Sequence, residues 1–262
     1  MIQRGLIIGT SHCAALRLAW AASRSERSKM SLDFAAMHGD VSSLVVRGIT
    51  LTGRSAEACA SLECLSGAFE FDLTSYDFIA VCGGTTSTYH AIEVYRVARW
   101  FGLPSIDARS INSFEKWSLV SKRCAETAIS ALIRASSGRG LLAAIVDVTS
   151  ALCIAIPHPA LSHDALKAGQ SYATFQAVHK SGDGAALAQI LDRASAAAFR
   201  GIATEMVPPL ILRQDHFFTH SDFRRGAKRL GRNDNMPQPD SDYLHGNADY
   251  GQIILSALEH LI

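Results

Sequence analysis

Two short motifs at opposite ends of the chain carry side chains able to act together as nucleophile and base. Gly9-Thr10-Ser11-His12 lies near the N-terminus and Asp242-Tyr-Leu-His245 near the C-terminus. A serine hydroxyl attacks well only when a base accepts its proton, and a histidine base needs an acceptor on its other ring nitrogen. An aspartate three residues before a histidine, in a turn, can approach Nδ1 while Nε2 faces elsewhere. A serine opening a helix also sits beside unpaired N–H groups and the positive end of the helix dipole, which favour a developing oxyanion. Thr10 or Ser11 would equally serve as an ordinary helix cap, so both roles stay open. His12 is expected as an exposed first-turn residue within reach of a bound substrate.

Two glycine-bearing turns are candidates for the remaining catalytic part, an oxyanion hole. Gly48-Ile-Thr-Leu-Thr-Gly53-Arg-Ser follows one strand-like run, and Gly83-Gly84-Thr85-Thr86 follows another. Ordinary turns also need glycine wherever φ is positive. Neither G-x-G-x-x-G nor G-x-x-x-x-G-K-[ST] occurs, which argues against nucleotide binding. His158, His163, His216 and His220 are too dispersed in sequence for recognisable ligand spacing, so neither a metal nor an organic cofactor is expected.

The elements around these motifs alternate. Gly5 to Ile8 reads as a strand and Ala14 to Ala22 as a helix; Ser43 to Val46 as a strand and Ala56 to Leu65 as a helix. Phe78 to Cys82 reads as a third strand, followed by a helix over Tyr89 to Phe101 in which Trp100 and Phe101 pack inward. Phe114 to Ala135 reads as helix, Leu141 to Val148 as strand or helix, and Leu152 to Ile156 as strand. A long helix over Gly184 to Met206 and a last strand over Leu210 to Leu212 precede a polar loop from Gln214 to His245. Tyr250 to Ile262 closes the chain as a helix, with Tyr250 packing it. Short continuous apolar strands alternating with helices predict a three-layer α/β/α sandwich around a parallel sheet of about five strands, flavodoxin-like in winding. Ser11 and both glycine turns would then lie at the carboxyl edge of that sheet, where open α/β sheets bind ligands. No linker or repeat divides residues 1–262, so one domain is expected.

Composition narrows the function classes. Hydrophobic residues make up 48% and charged residues 19%, a globular composition. Twenty-five Lys+Arg against 24 Asp+Glu leave a net charge of +1, so no global field favours nucleic acid or an anionic membrane. One basic cluster, Arg224, Arg225, Lys228, Arg229 and Arg232, is flanked by Asp222 and Asp234 and reads first as a solvated face. No apolar run approaches the roughly 18–20 residues a membrane span needs, and no signal-peptide pattern opens the chain. The six cysteines form no C-x-x-C pair and most sit among apolar neighbours, which reads as reduced, and the chain is expected to be cytoplasmic. Oligomeric state is not legible.

Taken together, these blocks resemble the SGNH/GDSL hydrolase superfamily. Ser11 matches the nucleophile that ends the first strand, Gly53 the glycine after the second strand, and Asp242 with His245 the late acid and base. Ile156-Pro-His-Pro-Ala-Leu-Ser162 resembles the proline-containing segment after the fourth strand, and the ending through His245, Asn247, Tyr250 and Gly251 resembles a bacterial branch. Thr10 stands where the family has aspartate. Thr85 stands where it has the asparagine of the oxyanion hole. The resemblance implies a serine ester hydrolase acting on a small ester or acylated glycan, with no cofactor. The substitution at Thr85 keeps a non-catalytic glycan-binding protein in view, and an O-acyltransferase would use the same serine and histidine.

Overall fold

The computed structural model describes residues 2–27, 29–107, 117–232 and 236–262. The predicted helix start at Phe114 and the flanking Asp234 lie outside them. Strands follow in chain order as β1 (Gln3–Gly9), β2 (Met30–Ala36), β3 (Leu44–Arg47), β4 (Thr50–Gly53), β5 (Glu70–Asp72), β6 (Phe78–Cys82), β7 (Ala98–Trp100), β8 (Ser118–Val120), β9 (Leu152–Ile156), β10 (Thr204–Glu205), β11 (Arg213–Gln214) and β12 (Phe218–Thr219). The helices are α1 (Cys13–Ser23), α2 (Ala56–Ser66), α3 (Thr88–Val97), α4 (Pro104–Asp107), α5 (Lys122–Arg134), α6 (Ser137–Val146), α7 (Ala173–Ser181), α8 (Gly184–Phe199) and α9 (Ala248–Glu259).

The central sheet runs β10-β9-β6-β1-β2 with every pairing parallel, which is the flavodoxin-like order. Its three inner strands, β1, β6 and β9, are buried on both faces, and the period of two explains how. Leu6, Ile8, Ile79 and Val81 enter the core shared with α3, α5, α6 and α8. Ile7, Ala80, Cys82, Ile154 and Ile156 enter the opposite core, with α1 and α9. A fully buried Leu or Ile contributes roughly 1.5–3 kcal/mol, so this double burial gives the three-layer α/β/α sandwich its register.

Several elements differ from the sequence expectation. The second strand of the sheet is β2, not Ser43–Val46. It is an edge strand with Ser31 exposed and Asp33 paired to Arg4 at 2.9 Å, so it lacks a continuous apolar run. Residues 44–47 belong instead to the antiparallel sheet β3-β4-β5. Helix α3 stops at Val97, after which Trp100 is buried on β7 while Phe101 is exposed. Helix α8 ends at Phe199, and the fifth sheet strand is the two-residue β10. Leu210–Leu212 is a 3₁₀ turn after Pro208-Pro209, with Leu210 and Ile211 exposed. Residues 137–146 resolve the strand-or-helix choice as helix α6.

Helices α1 and α9 pack closely enough to set the site. A Cβ on Gly251 would stand 2.1 Å from the Ala15 carbonyl oxygen, so glycine alone allows this approach. Arg27 fixes the far end of the pair, bonding Glu259 at 2.7 Å and the Gln252 side chain at 2.8 Å. Among the described residues no single helix is long and apolar enough to cross a membrane.

Candidate active site

Strand β1 delivers Ser11 to the carboxyl edge of the sheet, in the turn before α1. The Ser11 hydroxyl does not cap that helix; no side-chain cap bond forms there. Instead Ser11 Oγ lies 2.8 Å from His245 Nε2. His245 Nδ1 lies 2.6 Å from Asp242 Oδ2, and Asp242 Oδ1 accepts the Leu244 N–H at 2.9 Å. The three side chains predicted to work together do meet, across 234 residues of sequence. Burial pushes the Asp242 carboxyl up, but hydrogen bonds from His245 and the Leu244 N–H, with the neighbouring imidazole, outweigh it. Its pKa is lowered overall, so it stays ionised at neutral pH and holds Nδ1 protonated.

The loop carrying Asp242 and His245 is tied down by Asn247, from the ending motif, and by Arg224, from the basic cluster. Asn247 caps α9 through the Tyr250 N–H at 3.0 Å, and its amide donates to Asp222 O at 2.8 Å and Arg225 O at 2.9 Å. Arg224 donates to the carbonyl of Asp242 at 2.6 Å and stacks over Tyr243. The basic cluster is therefore partly structural: Arg224 braces the site loop and Arg225 pairs with Asp222 at 3.0 Å.

His12 is not an exposed contact residue. Its ring stacks on His245 with centroids 4.8 Å apart and meets His158 edge-on at 4.6 Å. Burial, then the neighbouring His158 and His245, hold its pKa well below the ordinary range, and Nδ1 has no hydrogen-bond partner among the described residues. A neutral ring at that position packs the base without competing for its proton. His158, in the proline-containing segment after β9, is pushed down to about 4, chiefly by burial. Being neutral at pH 7, it accepts the Gly84 N–H on Nε2 at 2.6 Å.

The oxyanion candidates fare differently. Thr85 is buried, and its hydroxyl donates to the Ile156 carbonyl at 2.6 Å, so its one proton is unavailable to an oxyanion. The Gly84 N–H is likewise committed to His158. Gly83 lies against the residues on either side of Ser11: a Cβ there would lie 3.1 Å from Thr10 Oγ1 and 3.9 Å from His12 Cδ2. Gly84 is left-handed, φ 64°, and fits closely against Ser137 and Gly138. Gly53 ends β4 opposite Leu44, where a Cβ would strike the Cys59 backbone nitrogen at 2.4 Å. It is needed for the packing of α2, and among the described residues no hydrogen bond joins it to Ser11 or His245. The Thr85 hydroxyl is thus spent on Ile156, and Gly53 ends a strand of the antiparallel sheet, not the second strand of the central one.

No protein-family model matches the chain, and no curated protein matches it.

Next to His158 opens a largely apolar cavity of about 350 Å³, between the ends of β6, β9 and β10 and helix α8. Leu191, Phe199, Met206, Phe217 and Tyr250 supply its apolar wall. Glu205 enters from the end of β10 and shares hydrogen bonds with Ser195 and Thr86. Burial lifts its carboxyl to about 7, against the hydrogen bond from Ser195. Against the expectation from spacing, three metal-ligating types also converge outside the triad: His163, His179 and Asp215. His163 was visible only as one of several scattered histidines, and nothing local in the sequence pairs it with the other two.

Proposed function

We propose that the protein is a serine ester hydrolase acting on a small O-acylated molecule, with an acylated carbohydrate as the class the family resemblance implies. The observation that carries this reading is the unbroken chain Ser11 Oγ–His245 Nε2, 2.8 Å, and His245 Nδ1–Asp242 Oδ2, 2.6 Å. Ser11 attacks the acyl carbon as its proton passes to His245 Nε2, giving a tetrahedral oxyanion. The backbone N–H of Ser11 would receive that charge. The ester C–O bond then breaks as His245 returns the proton to the leaving alcohol, and water releases the acyl group from Ser11 by the same steps reversed. The cavity next to His158 has a volume usual for small-molecule sites, but Ser11, Asp242 and His245 do not line it. Free thiols at all six cysteines are in keeping with a cytoplasmic setting.

Binding without catalysis is favoured by one specific observation, the commitment of the Gly84 N–H and the Thr85 hydroxyl to internal partners. Turnover of p-nitrophenyl acyl esters of increasing chain length separates the two readings. Hydrolysis that disappears in Ser11→Ala supports the esterase. Absence of turnover in the wild type with every ester supports binding alone.

A further inference from the structure

His163 follows β9, His179 lies in the last turn of α7, and Asp215 sits in the turn between β11 and β12. Three segments distant in sequence thus bring two imidazoles and a carboxylate to one point. His163 Nε2 and His179 Nδ1 each lie 3.2 Å from Asp215 Oδ2, and all three donor atoms fall within 4.8 Å of one another. Zinc bound tetrahedrally by nitrogen and oxygen at roughly 2.0–2.1 Å places neighbouring donors about 3.3 Å apart. Two of the three spacings already have that length.

His163 is half-buried, while His179 and Asp215 are exposed. Both imidazoles meet Phe218 edge-on, with centroids 5.8 and 6.1 Å away, and Phe218 is fully buried. Asp215 reaches them from a turn in which it and His216 are both left-handed, φ 49° and 63°. His163 is aligned to hydrogen-bond Asp215 Oδ2. His179 approaches the same oxygen at ion-pair distance, and the two rings stand at 85° to each other. One carboxylate and two imidazoles can hold a dication, and the two nitrogen donors select a transition metal over calcium or magnesium, which prefer all-oxygen sets.

We propose that His163, His179 and Asp215 bind a divalent transition metal, zinc foremost, leaving a fourth position for water. The ion would clasp α7 to two segments that lie beside the candidate active site. The hairpin bearing Asp215 supplies Arg213, Phe217, Phe218 and Thr219 to the cavity wall. Ser162, beside His163, donates its N–H to Tyr243 O at 2.8 Å, one residue from Asp242. Metal binding would stabilise both without touching the triad, so this site stands or falls independently of the esterase reading.

The test titrates zinc chloride into chelator-stripped full-length protein, followed by calorimetry and by thermal unfolding. Expected are one equivalent bound with Kd on the order of micromolar or tighter, a rise in Tm with zinc, and none with magnesium. His179→Ala and Asp215→Asn should each weaken zinc binding at least about 10-fold and remove the Tm rise. His220→Ala, altering an exposed histidine outside the cluster, should leave both unchanged. No zinc-dependent heat or Tm shift would overturn the proposal and leave an ion-pair cluster. Zinc affinity that survives both His179→Ala and Asp215→Asn would overturn it as well.

Discussion

Gly251→Ala tests whether the fit of α9 on α1 sets the catalytic geometry. A methyl group at this position would stand 2.1 Å from Ala15 O and 2.9 Å from Ala19 Cβ. The Ala15 contact is with backbone, so no side-chain rotation relieves it. Reaching an ordinary 3.4 Å contact requires the helices to separate by about 1.3 Å. Helix α9 begins three residues after His245, so the displacement reaches the base directly. Adding it to the 2.8 Å Ser11–His245 bond breaks that bond. Overpacking of this kind costs about 1–3 kcal/mol, which lowers Tm by roughly 2–12 °C in a chain of this size. A misplacement of about 1 Å costs on the order of 10² in rate. The assay is kcat/KM on p-nitrophenyl acetate beside thermal unfolding, at a temperature where the variant is folded. Gly140→Ala is the control, since nothing lies within 4 Å of a Cβ there and an exposed helix position gains about 0.5–1 kcal/mol from alanine. A folded Gly251→Ala protein with wild-type Tm and wild-type kcat/KM would refute the reasoning.

Asp242→Asn should leave unfolding nearly unchanged yet lower kcat by on the order of 10²–10⁴, because the amide admits the wrong imidazole tautomer; an undiminished kcat would reduce Asp242 to a turn residue. Thr85→Val should cost about 1–3 kcal/mol through the unpaired Ile156 carbonyl while kcat/KM of the folded enzyme holds; lost turnover at unchanged stability would return Thr85 to the oxyanion hole. Glu205 has its pKa raised from 4.5 to about 7, so the folded state binds more protons than the unfolded state across that window and stability falls as pH rises through it. Glu205→Gln should therefore gain stability relative to wild type between pH 5 and pH 8, by at most about 3 kcal/mol in urea unfolding. A pH-independent difference would show that the carboxyl ionises freely.

What the sequence discloses depends on whether the relevant signal is local. Runs such as Leu6–Ile8, Phe78–Cys82 and Leu152–Ile156 are legible because burial on both faces leaves them continuously apolar. Strand β2 alternates with exposed Ser31 and half-buried Asp33 because it lies at an edge, so the stronger apolar run at 43–46 takes its place. Two-residue β10 is too short to carry any periodicity. Ser11 and Asp242-x-x-His245 stand out by position alone, at a strand end and just before the last helix, because a serine also caps helices there and an Asp-x-x-His turn is common in itself. The oxyanion candidates mislead because a glycine block does not say which N–H is already taken. His158 claims the Gly84 N–H from 74 residues away, and Ile156 claims the Thr85 hydroxyl from 71. The three-histidine stack and the His163–His179–Asp215 cluster are likewise products of the fold, with no local spacing to announce them.

The most direct measurement is reaction with a serine-directed fluorophosphonate followed by mass mapping of the labelled peptide. A single adduct on Ser11 is predicted, forming much more slowly in His245→Ala, because Nε2 at 2.8 Å is the group that takes the hydroxyl proton. A label on any other serine, or an unlabelled Ser11 in folded protein, would contradict the assignment of Ser11 as nucleophile.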